Sequence, residues 1–292
     1  MATSVSQAPG FQRCKIGDII VTALNDGFII LPPEILVGIE AEQQDALYRA
    51  AGRRPPFATA INGYLLQWAG RTVLIDAGAG GFMGPHLGKL RANLAAAGVT
   101  PSDIDLVLLT HMHTDHIGGL LAADRTAVFP HARVVVSAPE IAYWRDRSNE
   151  GSSPETTRDA FDVSESVAAA YSDRLVTLDH AGLDPRIRPI ALPGHTPGHT
   201  GFEFPTENAP FIIWGDICHA PEVQCARPEV TVAFDVSPRE AIVSRRRMLD
   251  RAAREDLLIV GMHMPFPGFT RIDHAADAYV HRPQVWQYDL FT

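Results

Sequence analysis

Cysteine is scarce, with only Cys14, Cys218 and Cys225 in 292 residues. Three is too few for a disulfide framework, and a reducing, cytoplasmic setting is expected. No apolar run approaches the ~20 residues of a membrane-spanning helix, so no membrane association is expected. Residues 1–10 have neither a basic head nor an apolar stretch, and no signal peptide is expected. Basic charge is in deficit: 25 Lys and Arg stand against 34 Asp and Glu, a net charge of -9. That balance argues against nucleic acid as the main partner, since phosphate contact needs a basic face. Bound divalent metals would still add local positive charge that the count omits. Linkers, repeats and low-complexity tracts are absent as well. The reading is one domain over 1–292, with 1–15 as a flexible or arm-like segment.

A hydrophobic content of 46% is enough to bury a large core. Strands are expected at 19–24, 61–68, 72–75, 105–110, 133–137, 174–178, 187–192, 200–204, 210–214 and 257–260. Asn25-Asp26-Gly27 reads as a turn, and 61–75 as a hairpin closed by Ala69-Gly70-Arg71. Helices are expected at 87–98, 139–147, 157–171 and from 238 to about 255. The last opens on Ser237-Pro238-Arg239-Glu240, a capping box with proline at the first helical position. Neither regular βαβ alternation nor an all-β pattern emerges. The order favours sheets packed face to face with helices outside.

The densest chemistry lies in His111-Met112-His113-Thr114-Asp115-His116. Three imidazoles and a carboxylate in six residues exceed what a core or a solvated loop needs, and suit zinc or its first-row neighbours. Three further residues stand just past apolar strands: His195 in Pro193-Gly194-His195, Asp216 in Trp214-Gly215-Asp216, and His263 in Gly261-Met262-His263. A lone histidine or aspartate after a strand is ordinarily a turn residue. Beside the 111–116 cluster, each reads as a ligand. His199 could compete with His195 for a metal, or serve as a hydrogen-bonding neighbour. Asp76 is either a turn carboxylate or a partner near the metals. Cys218 is either a buried thiol or a ligand. His86, His131, His180, His219, His274 and His281 form no pattern, although His219 lies near Asp216.

The pattern His111-x-His113-x-Asp115-His116, then His195, Asp216 and His263, resembles the metallo-β-lactamase fold superfamily from about residue 61 to 263. Residues 76–85, 110–119, 193–200 and 262–268 are most similar to the methyl parathion hydrolase group and its lactonase relatives. The resemblance implies an α+β fold, an αββα four-layer sandwich with two metals at one edge of the sheets. His111, His113 and His195 would hold one metal, Asp115, His116 and His263 the other, and Asp216 would bridge them. Asp115 and Asp216 are the carboxylates it assigns to catalysis. The ions would be zinc, with manganese, iron or cobalt as alternatives, and a bridging hydroxide would be the nucleophile. A homodimer is implied too.

By the same resemblance, Phe82 or Met83, Trp144 and Phe161 fall around the substrate entrance; otherwise Trp144 and Phe161 are core aromatics. The polar stretch 150–157 reads as a loop near that entrance. The expected substrate is a neutral, hydrophobic lactone or ester, with phosphotriesterase activity alongside. A mononuclear iron oxidoreductase of the persulfide dioxygenase kind is the alternative, and a non-enzymatic or nucleic-acid-processing relative is a third class. The complete ligand set favours hydrolysis.

Overall fold

A computed structural model describes residues 7–207 and 209–290. Strands β1 (Phe11–Ile16), β2 (Ile19–Ile30), β4 (Ala58–Trp68), β5 (Arg71–Ile75), β6 (Leu106–Leu108), β7 (Arg133–Val136) and β8 (Leu175–Thr177) form a seven-stranded sheet in the order 1-2-4-5-6-7-8. A six-stranded sheet has the order 15-14-13-11-10-9. Its members are β9 (Arg188–Ala191), β10 (Thr200–Phe204), β11 (Phe211–Ile213), β13 (Leu258–Val260), β14 (Phe269–Ala275) and β15 (Ala278–Pro283). Short strands β3 (Leu36–Val37) and β12 (Thr231–Val232) pair with each other. The helices are α1 (Ala41–Ala50), α2 (Leu90–Ala96), α3 (Thr114–Ile117), α4 (Ala138–Arg145), α5 (Asp159–Ala170), α6 (Pro221–Gln224) and α7 (Pro238–Arg254).

Side-chain alternation builds the layers. Leu106 and Leu108 face the second sheet, where they meet Phe211, Ile213, Leu258 and Val260. Val107 faces the other way, into the cluster with Leu94, Trp144 and Phe161. Ile212 and Ile259 likewise turn outward onto Met248 and Leu249 of α7. Strands apolar on both faces must be covered on both. The result is the helix–sheet–sheet–helix order expected. Among the described residues, no helix is long and apolar enough to cross a membrane.

Four expectations need correction. Residues 11–16 are not part of an arm: they pair with β2 from Phe11↔Leu24 to Ile16↔Ile19. Residues 1–6 of that expected arm lie outside the described residues. Asn25-Asp26-Gly27 is not a turn but an irregularity inside β2, where the register with β4 shifts. Gly27 sits at φ +141°, and a Cβ there would lie 1.9 Å from the His86 carbonyl oxygen. Ser237 makes no side-chain cap bond, although α7 does begin at Pro238. The 257–260 strand is followed by the hairpin β14–β15, which the sequence pattern did not reveal.

The shift in β2 turns Asp26 inward. Its buried carboxylate accepts from the N–H groups of Ala79 (2.9 Å), Gly88 (3.0 Å) and Leu90 (2.8 Å), so it organises the glycine-rich loop after β5. Asp26→Ala leaves those donors without their acceptor. It should lower unfolding free energy by about 3 kcal/mol, read from urea denaturation; a change below about 1 kcal/mol would refute this role.

Candidate metal centre

Strand direction gathers the ligands. β5 and β6 are parallel, as are β11 and β13. β9 runs antiparallel to β10, and β10 to β11, so β9, β11 and β13 share one direction. The segments leaving β5, β6, β9, β11 and β13 therefore emerge at one edge, carrying Asp76, residues 111–116, His195, Asp216 and His263.

His111 Nε2 and His195 Nε2 each stand 3.0 Å from His113 Nδ1. Asp115 Oδ2 lies 3.5 Å from His116 Nε2 and 3.6 Å from His263 Nε2. Asp216 Oδ2 sits between these groups. Its distances are 3.6 Å to His111 Nε2, 3.3 Å to His116 Nε2, 3.3 Å to His195 Nε2, 3.0 Å to His219 Nε2 and 2.9 Å to His263 Nε2. One carboxylate oxygen cannot accept five imidazole N–H groups at once. The buried His116 Nε2 and Asp216 Oδ1 have no hydrogen-bond partner. Converging lone pairs with unpartnered buried atoms fit divalent cations. Three-residue groups able to hold one include His111–His113–His195, Asp115–His116–His263 and His195–Asp216–His219.

The far sides of four rings are anchored, while His113 Nε2 and His219 Nδ1 have no hydrogen-bond partner among the described residues. His116 Nδ1–H donates to Asp76 Oδ2 at 2.7 Å, and His195 Nδ1–H to Asp235 Oδ1 at 2.8 Å. His263 Nδ1–H donates to the Ala60 carbonyl at 3.0 Å. His111 Nδ1–H reaches Thr110 Oγ1 at 3.0 Å, whose hydroxyl donates to Asp76 Oδ2 at 2.7 Å. Each bond fixes the tautomer that turns Nε2 inward. Asp76 is therefore a buried partner of two rings, not a turn carboxylate. Burial pushes His111 and His113 well below the usual imidazole range. For Asp216, burial opposes ionisation, but His116, His263 and His111 outweigh it and hold the carboxyl well below its usual range.

Other sequence candidates fall out differently. His199 ligates nothing: its Nδ1–H donates to the Leu192 carbonyl and its Nε2 accepts from the Asp216 N–H. Burial pushes it down to about 3. Cys218 is buried and free, and no group of converging ligand atoms among the described residues includes it. His219, without a pattern in sequence, joins the centre beside Asp216 and stacks on His263 at 4.6 Å. Asp235 was not anticipated, because its partner lies 40 residues away.

A cavity of about 220 Å³ opens over the cluster. Its floor includes His113, Asp115, Asp216, His219 and His263, and its walls include Ile30, Leu31, Pro32, Ile35, Met83 and Phe234. Of the pair Phe82 or Met83 that the resemblance offered, Met83 is among these walls and Phe82 lines a separate cavity with Leu87 and Phe129. Trp144 and Phe161 are core residues, 2% and 0% exposed. Their helices press them against the sheet, with rings 4.7 Å apart, and Trp144 meets His113 edge-on from behind. Of the polar stretch 150–157, Thr156 and Thr157 reach the cavity, while Ser153 is buried and bonded to Tyr143 and Asn149.

The family model described as metallo-beta-lactamase superfamily matches residues 57–263. The chain belongs to this superfamily. Among solved metallo-β-lactamase folds, the hydrolase AbOPH aligns with a TM-score of 0.90 at 30% identity, covering 97% of this chain and 100% of that one. AidC, a dizinc quorum-quenching lactonase, aligns with a TM-score of 0.89 at 24% identity, covering 95% and 98%, a likeness of fold. Ribonuclease Z of Pyrobaculum aerophilum is 39% identical over 77 residues. That match covers 26% of this chain and only 24% of the ribonuclease.

Proposed function

We propose that this metallo-β-lactamase-fold hydrolase cleaves neutral, hydrophobic lactones or esters, and phosphotriesters as secondary substrates, using two divalent metals. The cavity carries the reading: its floor is the ligand cluster, its walls are apolar, and no lysine or arginine is among the described residues that line it. Beyond the ions themselves, the phosphates flanking a phosphodiester would find Asp159 and no cationic side chain among the described lining residues. That weighs against a ribonuclease reading despite the short match.

His111, His113 and His195 would hold one ion, and Asp115, His116 and His263 the other, with Asp216 shared. Zinc suits the donor set best. When bound, the ions supply a water acidified to near-neutral pKa and a Lewis acid for the acyl or phosphoryl oxygen. The protein does the rest. Ile30, Leu31, Pro32, Ile35 and Phe234 shed water around the hydrophobic half of the substrate. Asp115, the least buried carboxylate of the cluster, opens to the cavity, where it can take up the proton released by the attacking water and hand it to the leaving oxygen. Asp76 and Asp235 keep His116 and His195 aimed throughout.

A panel of a lactone, an aryl ester, a paraoxon-like triester and a phosphodiester tests this. Turnover is expected for the first two, a weaker rate for the third and none for the fourth. Exclusive phosphodiester cleavage would overturn the reading. So would a single iron with persulfide-dependent oxygen uptake.

A further inference from the structure

We propose that Glu140 is the positioning residue for the half-site of His111, His113 and His195, locking its two ligand loops to the start of α4. The inference rests on the metal-binding reading above. Glu140 is wholly buried, and no cationic side chain pairs with it among the described residues. Burial pushes its carboxyl up, and four donors pull the other way. A buried carboxylate without a cation persists only where donors converge on it.

The donors divide by oxygen. Oε1 accepts from the Met112 N–H at 2.9 Å and from Trp144 Nε1–H at 2.6 Å. Oε2 accepts from Thr196 Oγ1–H at 2.7 Å and from the Gly198 N–H at 2.9 Å. Met112 lies between His111 and His113, while Thr196 and Gly198 follow His195. One oxygen therefore grips each ligand loop. None of the four donors belongs to the segments that carry Asp216 or His263, and Met112, though in the same segment as Asp115 and His116, stands between the two histidines of this half-site.

Two further contacts seat the second loop on the helix. Ser137 Oγ–H donates to the Gly198 carbonyl at 2.6 Å. A Cβ on Gly198 would lie 2.3 Å from the Glu140 nitrogen, so only glycine allows this approach. Trp144, one turn along α4, also lies edge-on to His113, with centroids 5.4 Å apart. Asp76 bonds directly to His116 of the other half-site and reaches His111 only through Thr110.

Zinc titration by calorimetry, with the cobalt(II) visible spectrum as a second readout, tests the proposal in wild type, Glu140→Gln and Thr196→Val. Glu140→Gln turns an N–H₂ toward one pair of donors. Thr196→Val removes a single donor in a near-isostere, and carries the test if the glutamine variant does not fold. Wild type should bind two ions. Each variant should lose affinity at one site, by about 10–100-fold for Glu140→Gln and less for Thr196→Val, with the other site unchanged. The cobalt spectrum should change only in the component of the weakened site. Wild-type affinities at both sites in the variants would overturn the proposal, as would equal weakening of both, the mark of general destabilisation. Failure of the wild type itself to bind metal would remove the underlying reading, a result distinct from either.

Discussion

Asp216→Ala should strip at least one metal from the protein and lower kcat/KM by on the order of 10³-fold or more. Asp216 Oδ2 lies within 3.6 Å of imidazole nitrogens from both proposed half-sites. Two divalent ions in so small a cluster repel each other. At an effective dielectric near 20, unit charges about 4 Å apart interact by about 4 kcal/mol, and dications by about four times that. A shared carboxylate offsets part of this, and each 1.4 kcal/mol lost from transition-state stabilisation is about tenfold in rate. Metal analysis and steady-state kinetics on the purified variant decide the matter. Retention of two ions at wild-type affinity would show that Asp216 does not bridge them.

Chelation should be harsher on activity and visible in stability. With metal removed, hydrolysis should fall to background and return when zinc, manganese or cobalt is restored. An ion present at about 1,000 times its Kd contributes about 4 kcal/mol to folding. The melting temperature should therefore drop by roughly 8 °C or more after chelation. The cause lies in the cluster, where imidazole nitrogens crowd within 3.0 Å of one another and His116 Nε2 is buried without a partner. Chelated protein that keeps full turnover would refute metal dependence.

The sequence exposed the centre unevenly. Residues 111–116 are legible because their ligands are contiguous. His195, Asp216 and His263 are legible because each follows an apolar strand, and parallel strand ends bring them together. Asp235 and Glu140 are not legible in their roles, and Asp76 is legible only as one of two readings, since the ligand segments they hold lie 28 to 58 residues away. Trp144 and Phe161 show the opposite failure. An aromatic side chain on a helix serves a core or a pocket equally well, and only the direction of the helix face decides. β14 and β15 escaped because Phe269–Ala275 and Ala278–Pro283 interleave charged and exposed residues that carry little strand signal. Among ligand-cluster residues, only His219 had neither a neighbouring motif nor a strand end to announce it.

The separation of floor from walls has a consequence for divergence. The proposed ligands sit on segments leaving strands of the two packed sheets, Asp115 and His116 on the short α3 that follows β6, and a shifted backbone there would disturb the sheet packing. Ile30, Met83, Thr157 and Phe234 come from other segments: the end of β2, the glycine-rich loop and the stretches around 157 and 234. Mutational drift can reshape those segments one at a time without unseating a ligand. A change of substrate on this scaffold therefore needs few substitutions and none at a proposed ligand.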